Sequence, residues 1–254
     1  MIVNRFIVDD WVRGVLGVAN PYSKESNLRF YYDYLIRNHD KVDGDIVEAG
    51  VYKGSSLLAT ALLLKQLGSK KKVYGFDSFA GFPSYHYNDS LEKFDELYEK
   101  GVISKKHFSK VKKNISLRER FVGLDVNASN ISMSGDFSDT SKLSVEMKAD
   151  LLNLDNIILI DGSFSKTMVD GVGPDVVMSA LIDCDLYEGY KISLPYLWER
   201  LSPGGYVYLD EYYSLKFPGA RIACDEFFSD KTEKPFKNRS RELEFERWSV
   251  IKGM

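Results

Sequence analysis

The sequence predicts an α/β fold in which a mostly parallel β-sheet carries helices on both faces, a doubly wound sheet. Five short apolar runs are typical of buried strands, and each ends at an acidic residue or at an acid followed two residues later by glycine. Amphipathic or apolar helical patterns separate several of these runs. Strands that alternate with helices form βαβ units, whose neighbouring strands are parallel. With 254 residues, the chain is long enough for one large α/β domain.

The predicted strands follow one another along the chain with their acidic ends in the same relative position. In order they are DIVEAG (45–50), KVYGFD (72–77), NIILID (156–161), VMSALID (177–183) and GYVYLD (205–210). The carboxyl ends of parallel strands lie along one edge of the sheet, where open α/β folds bind ligands. We therefore expect the acidic strand ends to meet in one crevice.

Helices are predicted over residues 55–67 and 190–201, where apolar residues recur at helical spacing. Pro195 is expected to disturb the second of these helices, because proline removes a backbone donor. Near the end of the chain, RELEFERWSVIKG (241–253) alternates apolar and polar residues and predicts a closing strand.

One insertion interrupts the regular alternation of strands and helices. Residues 84–150 lie between the second and third predicted strands, and LEKFDELYEKG and SKKHFSKVKKNI within them have helical patterns. An insertion of this size is typical of a cap or lid. We expect one domain over residues 1–254, with a helical N-terminal segment over 1–44 and this cap.

Composition excludes several classes of protein. The formal net charge of −3 argues against a nucleic-acid-binding surface. The longest apolar runs are too short to cross a bilayer, and an acidic pair stands where a signal peptide would continue its apolar core. Two cysteines provide neither a disulfide framework nor a zinc spacing. These features predict a cytoplasmic protein with no membrane or nucleic-acid partner.

The stretch DIVEAGVYKGSS (45–56) predicts a cofactor site. Gly50 allows a sharp turn and Gly54 allows close backbone approach, while Ser55 and Ser56 suit a helix N-terminus with free N–H groups. The pattern E-x-G-x-x-x-G differs from the G-x-G-x-x-G that positions a pyrophosphate. Glu48 in place of the first glycine suits a ligand that carries an ammonium and a sulfonium.

The next strand strengthens this interpretation. Asp77 ends that strand, in the position where an acid commonly holds ribose hydroxyls. Together with Glu48, it points to S-adenosylmethionine. The alternative is a glycine turn that serves only the packing of helix on sheet.

A second group of acids predicts a metal site. Asp183 and Asp185 are two residues apart at the end of the fourth strand, so on an extended chain their side chains point the same way. Asp210 and Glu211 end the fifth strand. A carboxylate cluster of this density requires a cation to remain ionised. Oxygen ligands favour Mg²⁺, with Mn²⁺ or Ca²⁺ as alternatives.

The competing explanation is that strand ends meet water and carry acids for solubility. Cys184, between two of the acids, is interpreted as a buried spacer. The histidines, His39, His86 and His107, lie outside the strand ends, which argues against a histidine-based metal site or catalytic triad.

These residues together resemble the macrocin-type sugar O-methyltransferases, a class I family that uses S-adenosylmethionine on a Rossmann-like sheet. The resemblance covers most of residues 27–228. Six motifs occur in the family's order: GDIVEAGVYKGSS, FDSFAGFP, GSFSKT, IDCDLYEGY, LSPGGYVYLDEYY and GARIACDEF. Glu211 departs from the family, which usually has a second aspartate there.

The resemblance implies the residues of the site. The cofactor would contact Glu48, Gly50, Tyr52, Gly54, Ser55, Ser56, Asp77, Ser78, Gly162, Ser163 and Phe164. Mg²⁺ would be held by Asp183, Asp210 and Glu211. Within GSFSKT (162–167), Gly162 to Phe164 would lie near the adenine. The similar hexapeptide GDFSDT (135–140) is given no role.

The implied reaction is transfer of a methyl group to a hydroxyl of a sugar or glycosylated small molecule. Asp183 and Asp185 are the predicted catalytic residues. Asp185, beside the predicted ligands, is our candidate general base, and the alternatives are that it binds the metal or supports a metal ligand. Two alternatives remain open, a nicotinamide-dependent oxidoreductase and a non-catalytic protein that binds nucleotides or carbohydrates. The family's tendency also leads us to expect a homo-oligomer.

Overall fold

The computed structural model describes residues 6–239 and 245–253 and contains a seven-stranded sheet. Its strands are β1 (Asp45–Ala49), β2 (Val73–Asp77), β3 (Ile157–Asp161), β4 (Val177–Ile182), β5 (Leu201–Leu209), β6 (Phe236–Asn238) and β7 (Arg247–Ile251). They are ordered β3-β2-β1-β4-β5-β7-β6. Strands β1 to β5 are parallel, and β7 runs antiparallel to β5 and β6. The predicted α/β class with a mostly parallel sheet is confirmed.

The strand boundaries differ from the prediction mainly at β5. This strand begins at Leu201, four residues early, because Leu201 pairs with Val177 before an irregularity places Tyr206 opposite Ser179. The predicted closing strand contains β7, while its residues 241–244 lie outside the described part of the chain. Strand β6 was not predicted.

The described helices flank the sheet and fill the insertion. They are α1 (Asp10–Leu16), α2 (Arg29–Asn38), α3 (Ser55–Gln66), α4 (Lys93–Glu99), α5 (Lys105–Val122), α6 (Lys142–Leu151), α7 (Phe164–Thr167), α8 (Tyr187–Arg200) and α9 (Gly219–Phe227). Helix α8 continues through Pro195, contrary to our expectation. Its neighbours Leu194, Tyr196 and Leu197 are buried, so packing against the sheet offsets the hydrogen bond that proline removes.

The sheet has a separate hydrophobic core on each face. One core includes Tyr31 and Tyr32 of α2, Leu58 of α3 and Val145 of α6. The other is formed largely by α8 and α9 against β1, β4 and β5. Strand alternation divides β1 between them, so Ile46 belongs to the first core and Val47 to the second. The helices therefore cover both faces and leave the carboxyl edge of the sheet open to the loops.

The insertion at 84–150 does not behave as one unit. Helices α4 and α5 form a small third core with Leu186 and Phe217, which follow β4 and β5. Helix α6 belongs instead to the first core, where its Val145 and Ala149 pack. The cap function of the insertion remains a prediction, and α4 and α5 are the helices that lie beside the ends of β4 and β5.

The length and apolar content of a helix decide whether it can cross a bilayer. Within the described ranges, none of the helices is long and apolar enough to cross a bilayer.

Candidate functional site

A cavity of about 460 Å³ lies at the carboxyl edge of the sheet, where β1 to β4 end. Nine of the predicted cofactor residues line it: Gly50, Tyr52, Ser55, Ser56, Asp77, Ser78, Gly162, Ser163 and Phe164. A larger and more open depression of about 940 Å³ lies at the opposite edge, around Asp43, Asp45 and Lys71. We place the site in the smaller cavity, because the predicted groups converge there.

The loop after β1 is shaped by Gly50. This residue has φ +95°, and a Cβ added to it would collide with the backbone carbonyl of Asp183. The N–H of Asp183 donates to the carbonyl of Ala49 at 2.9 Å. The ends of β1 and β4 thus touch through a position that only glycine can occupy, and this contact joins the predicted cofactor loop to the predicted metal site.

Asp77 fixes the same loop from the end of β2. Its Oδ2 accepts from the backbone N–H groups of Val51 and Tyr52 at 2.7 and 2.8 Å, and its Oδ1 accepts from that of Phe79 at 2.7 Å. The N–H of Gly162 donates to the carbonyl of Asp77 at 2.9 Å. The loops after β1, β2 and β3 are therefore held together by hydrogen bonds.

Two of the predicted cofactor residues do not line the cavity. Glu48 is fully buried on the α3 side of the sheet, where its Oε1 accepts from Ser56 Oγ at 2.7 Å and its Oε2 has no partner. Burial raises the pKa of Glu48 to about 8. Gly54 precedes α3 with φ +80° and lies against Val145 of α6. Glu48 therefore reaches the cavity only through Ser56.

The acids that follow β4 and β5 do converge. Asp183, Asp185 and Glu211 each contribute a carboxylate oxygen to a set whose members lie within 4.8 Å of one another. Asp183 and Asp185 also line the cavity. Asp185 has φ +61°, so the chain turns sharply after β4 to direct its carboxylate to the set.

Burial dominates the electrostatics of these acids. It raises the pKa of Asp183 and of Glu211 well above the ordinary values, with the charge of Asp210 adding to both effects. Burial also raises the pKa of Asp185 to about 7, although the charge of Lys216 opposes this shift. Three carboxyl groups at this spacing, with Asp185 and Glu211 buried and Asp183 half-buried, are costly to ionise unless a cation binds between them.

Asp210 lies outside the set of three oxygens, although we predicted it as a ligand. The chain passes from β5 into a 3₁₀-helix over Asp210–Tyr213, which directs Glu211 inward. The hydroxyl of Tyr190 donates to Glu211 Oε2 at 2.7 Å and accepts from the N–H of Glu211 at 3.1 Å. Sequence reasoning missed this role of Tyr190. The available signal was a tyrosine in the first turn of α8, the helix that follows the acidic end of β4.

The insertion contacts the acid-rich side of the cavity through Asp89. This buried carboxylate accepts from the backbone N–H groups of Tyr187 at 2.8 Å and His86 at 2.9 Å. Tyr187 begins α8, directly after Leu186 of the cavity wall. The insertion is thus attached to the loop that carries Asp183 and Asp185.

Aromatic residues of the loop after β2 and of the insertion also line the cavity. Phe82 and Phe137 belong to the cavity wall, and their ring centroids lie 5.0 Å apart. Phe137 comes from GDFSDT, the hexapeptide to which sequence reasoning gave no role. Its similarity to GSFSKT was the available signal, since both hexapeptides contribute a phenylalanine to the same cavity.

The chain is similar to a known protein family and to two curated proteins. The family model described as macrocin-O-methyltransferase (TylF) matches residues 35–155 and 139–238. The chain is 27% identical over 188 residues to 8-demethyl-8-(2,3-dimethoxy-alpha-L-rhamnosyl)-tetracenomycin-C 4'-O-methyltransferase of Streptomyces olivaceus, covering 73% of this chain and 59% of the relative. It is 25% identical over 204 residues to mycinamicin III 3''-O-methyltransferase of Micromonospora griseorubida, covering 80% of this chain and 66% of that protein.

Among solved structures, the O-methyltransferase NovP superposes with a TM-score of 0.62 at 20% identity, covering 90% of this chain and 78% of that one. This likeness establishes the class I O-methyltransferase fold. The chain spans less than two thirds of the length of the curated relatives it matches, 59% and 66%. The family match extends from α2 to β6 and includes every strand end that lines the cavity. The chain belongs to the macrocin-O-methyltransferase family.

Proposed function

We propose that this protein transfers the methyl group of S-adenosylmethionine to a hydroxyl oxygen of a sugar or a glycosylated small molecule. The observation that carries the proposal is a single cavity with two different ends. Loops suited to a nucleoside cofactor form one end, and convergent carboxylates form the other. The two curated relatives are named for methylation of sugar hydroxyls.

The cofactor end offers neutral donors and an apolar wall. Ser55 and Ser56 stand at the N-terminus of α3, where free N–H groups suit the carboxylate of the cofactor's methionine part. Asp77 keeps one lone-pair site, on Oδ1, for a ribose hydroxyl while it holds the loop after β1. Phe164 provides an apolar surface for the adenine. Glu48 would act on the cofactor only through Ser56.

The acidic end fits a hard divalent cation. Its donor set is three carboxylates, which is the ligand chemistry of Mg²⁺, Mn²⁺ and Ca²⁺. Asp183 and Glu211 are the ligands we propose from both the sequence and the geometry, with Asp185 within reach and Asp210 contributing its charge. When bound, such a cation would supply Lewis-acid polarisation of the acceptor hydroxyl.

The protein's own residues align the reaction. The acceptor oxygen attacks the methyl carbon while the bond from that carbon to sulfur breaks, and the hydroxyl proton leaves to a base. Asp185 is the proposed base, because its carboxylate lines the cavity beside the proposed cation ligands Asp183 and Glu211. A carboxylate held by a cation is not free to take a proton, so the base and ligand roles of Asp185 are distinguishable by substitution.

The insertion is proposed to select the acceptor. Phe82 and Pro83 line the cavity directly before the insertion, and Phe82 packs against the cluster that contains Leu186 and residues of α4 and α5. Apolar surfaces of this kind stack on sugar rings. Because Asp89 ties the insertion to the start of α8, an acceptor that contacts Phe82 would lie above the acids. This arrangement supports a cap role for α4 and α5.

Self-association is also proposed. Helix α6 exposes Leu143, Met147 and Leu151 on one face, at 64%, 57% and 69% exposure. Apolar stripes of this kind mark protein interfaces. Sedimentation of the purified chain would show a dimer or larger assembly, and a monomer at micromolar concentration would contradict this proposal.

Methyl transfer from labelled S-adenosylmethionine to a panel of free sugars, glycosides and nucleotide sugars tests the function. We expect product only with acceptors that carry a free sugar hydroxyl, and we expect a chelator to abolish it. Binding of NAD instead of S-adenosylmethionine would favour the oxidoreductase alternative. Cofactor binding with no transfer to any acceptor of the panel would favour the non-catalytic alternative.

A further inference from the structure

Residues 135–140, which we call the strap, cross from the loop after β2 to the loop after β1. Both loops line the cavity. At one end of the strap, the carbonyl of Asp136 accepts from the N–H of Phe82 at 2.9 Å. At the other end, Thr140 Oγ1 donates to the carbonyl of Tyr52. The strap thus joins the two loops that would enclose the cofactor.

Asp139 makes two side-chain hydrogen bonds from the strap to the loop after β1. Its Oδ1 accepts from the hydroxyl of Tyr52 at 2.5 Å, and its Oδ2 accepts from Lys53 Nζ at 2.6 Å. The hydrogen bond from Lys53 is the main reason that the pKa of Asp139 is lowered, with the bond from Tyr52 second. One carboxylate therefore holds two successive residues of the predicted cofactor loop.

The backbone around this contact is in a sparsely populated conformation on both sides. Tyr52 has φ +50° and Phe137 has φ +61°. Their rings meet edge to face with centroids 5.1 Å apart, and both residues line the cavity. Positive φ at two bulky residues costs free energy and persists only where surrounding contacts hold it, which is typical of functional sites. Asp139 provides one of the polar contacts that hold Tyr52, together with Asp77 and Thr140.

The contact is placed at the surface. The side chains of Asp139 and Lys53 are 63% and 48% exposed. Exposed ion pairs stabilise only slightly and are screened by salt. A closure held in this way can open without disturbing the buried core, as repeated exchange of a cofactor requires.

We propose that Asp139 is a positioning residue for the cofactor. It acts by holding Tyr52 and Lys53 in place over the bound molecule. The inference rests on the proposed use of S-adenosylmethionine. It differs from the proposed contacts of Tyr52 itself, because Asp139 does not line the cavity and acts through its two partners.

The test uses Asp139→Ala and Asp139→Asn in the full chain, with S-adenosylhomocysteine as the probe. Calorimetry gives the dissociation constant and stopped-flow displacement gives the dissociation rate. We expect Asp139→Ala to weaken binding roughly three- to tenfold through faster dissociation, because two exposed contacts are lost. Asp139→Asn should lose less, because it keeps an acceptor oxygen for Tyr52.

Kinetics and salt separate positioning from a general structural role. Asp139→Ala should raise the KM for S-adenosylmethionine several-fold and leave the KM for the acceptor unchanged. Raising the ionic strength should speed release from the wild type and have little effect on Asp139→Ala. Tyr52→Phe combined with Asp139→Ala should lose little more than Asp139→Ala alone, since both changes remove the same contact.

The matched control is Glu146→Gln, which removes one exposed acid from α6 that pairs with Lys142 at 3.7 Å. The inference is overturned if Asp139→Ala binds within twofold of the wild type, or if Glu146→Gln weakens binding as much. Failure of the wild type to bind S-adenosylhomocysteine would instead overturn the proposed function.

Discussion

Buried and half-buried carboxyl groups lie at two places near the carboxyl edge of the sheet, and the two places differ in their surroundings. Glu48 is enclosed alone beneath the cofactor end of the cavity, with Ser56 on one oxygen. Asp183, Asp185 and Glu211 converge on one another at the acidic end. Burial raises the pKa in both groups, so a raised pKa does not by itself identify the reactive site. Convergence of several acids distinguishes the second group.

The largest effect is expected from neutralising an acid of the converging group. Asp183→Asn should lower methyl transfer roughly 10⁴-fold, equivalent to about 5.5 kcal/mol of transition-state stabilisation, because a proposed cation ligand is lost. In the presence of chelator the variant should unfold at the same temperature as the wild type or higher, because a buried ionisable group is removed. Mg²⁺ should raise the unfolding temperature of the wild type but not that of Asp183→Asn.

The control for this experiment is Asp161→Asn, an exposed acid at the end of β3 that is outside the converging set. It should retain both activity and the response to Mg²⁺. Asp185→Asn separates base from ligand. Loss of transfer with an intact Mg²⁺ response would assign Asp185 as the base, whereas loss of both would assign it as a ligand. Full activity of Asp183→Asn would contradict the proposal that the converging acids form the reactive site.

Glu48 should instead control stability. Burial raises its pKa from 4.5 to about 8 in the folded chain, so the unfolded chain loses its proton first as pH rises. Stability is therefore full below about pH 4.5 and declines until about pH 8, by as much as about 4–5 kcal/mol at 1.36 kcal/mol per unit. Glu48→Gln should flatten this part of the profile. Urea unfolding from pH 5 to 9 measures it, and identical slopes in the two proteins would refute the assignment.

Gly50 connects the two regions, and its replacement should be costly. Gly50→Ala places a Cβ against the carbonyl of Asp183 and should destabilise the chain by about 3 kcal/mol or more, since overpacking adds to the cost of positive φ. Gly123→Ala is the matched control. Its φ is +72° and no atom lies within 4 Å of the added Cβ, so it should cost only about 1 kcal/mol. Equal losses in denaturant unfolding would show that the contact between β1 and β4 is unimportant.

The smallest effect is expected at His107, which docks α5 beside the acidic end. Its ring stacks on Tyr213 at 3.9 Å, and its Nε2–H donates to the carbonyl of Ser214 at 2.7 Å. Burial lowers the pKa of His107 below the ordinary 6.5. As pH falls through about 6.5 the unfolded form takes up the proton first, so stability is lost on the acid side.

The variant His107→Phe should keep the stacking and lose this acid sensitivity, at a cost of about 1 kcal/mol for the hydrogen bond. Hydrogen exchange of α5 between pH 5 and 7.5 would show the difference. Equal acid sensitivity of α5 in the two proteins would mean that other groups control the docking.

The parallel strands and the acid cluster were accessible from the sequence for a physical reason. Apolar runs that end in acids report both burial and the edge at which the chain emerges. The carboxylates of Asp183 and Asp185 do approach each other, although through a turn with φ +61° at Asp185 and not along the extended chain that we expected.

The details that escaped prediction depend on local backbone geometry. The orientation of Glu48 follows from the strand face it occupies, which the motif alone does not specify. Asp210 and Glu211 were both predicted as ligands, but only Glu211 lies in the converging set, because the 3₁₀-helix that begins at Asp210 directs Glu211 inward. The role of the strap depends on contacts between residues 87 positions apart, which no local pattern reveals.

The docking of α5 on Tyr213 and Ser214 has a consequence for redesign. Tyr213 ends the short helix that holds Glu211 and Ser214 follows it, so α5 of the proposed cap packs on the segment that directs this acid inward. Grafting a foreign insertion to change the proposed acceptor preference would therefore alter the affinity for the proposed cation as well. A chimera that keeps its catalytic turnover would have to receive α5 together with residues 213–214, on which α5 packs.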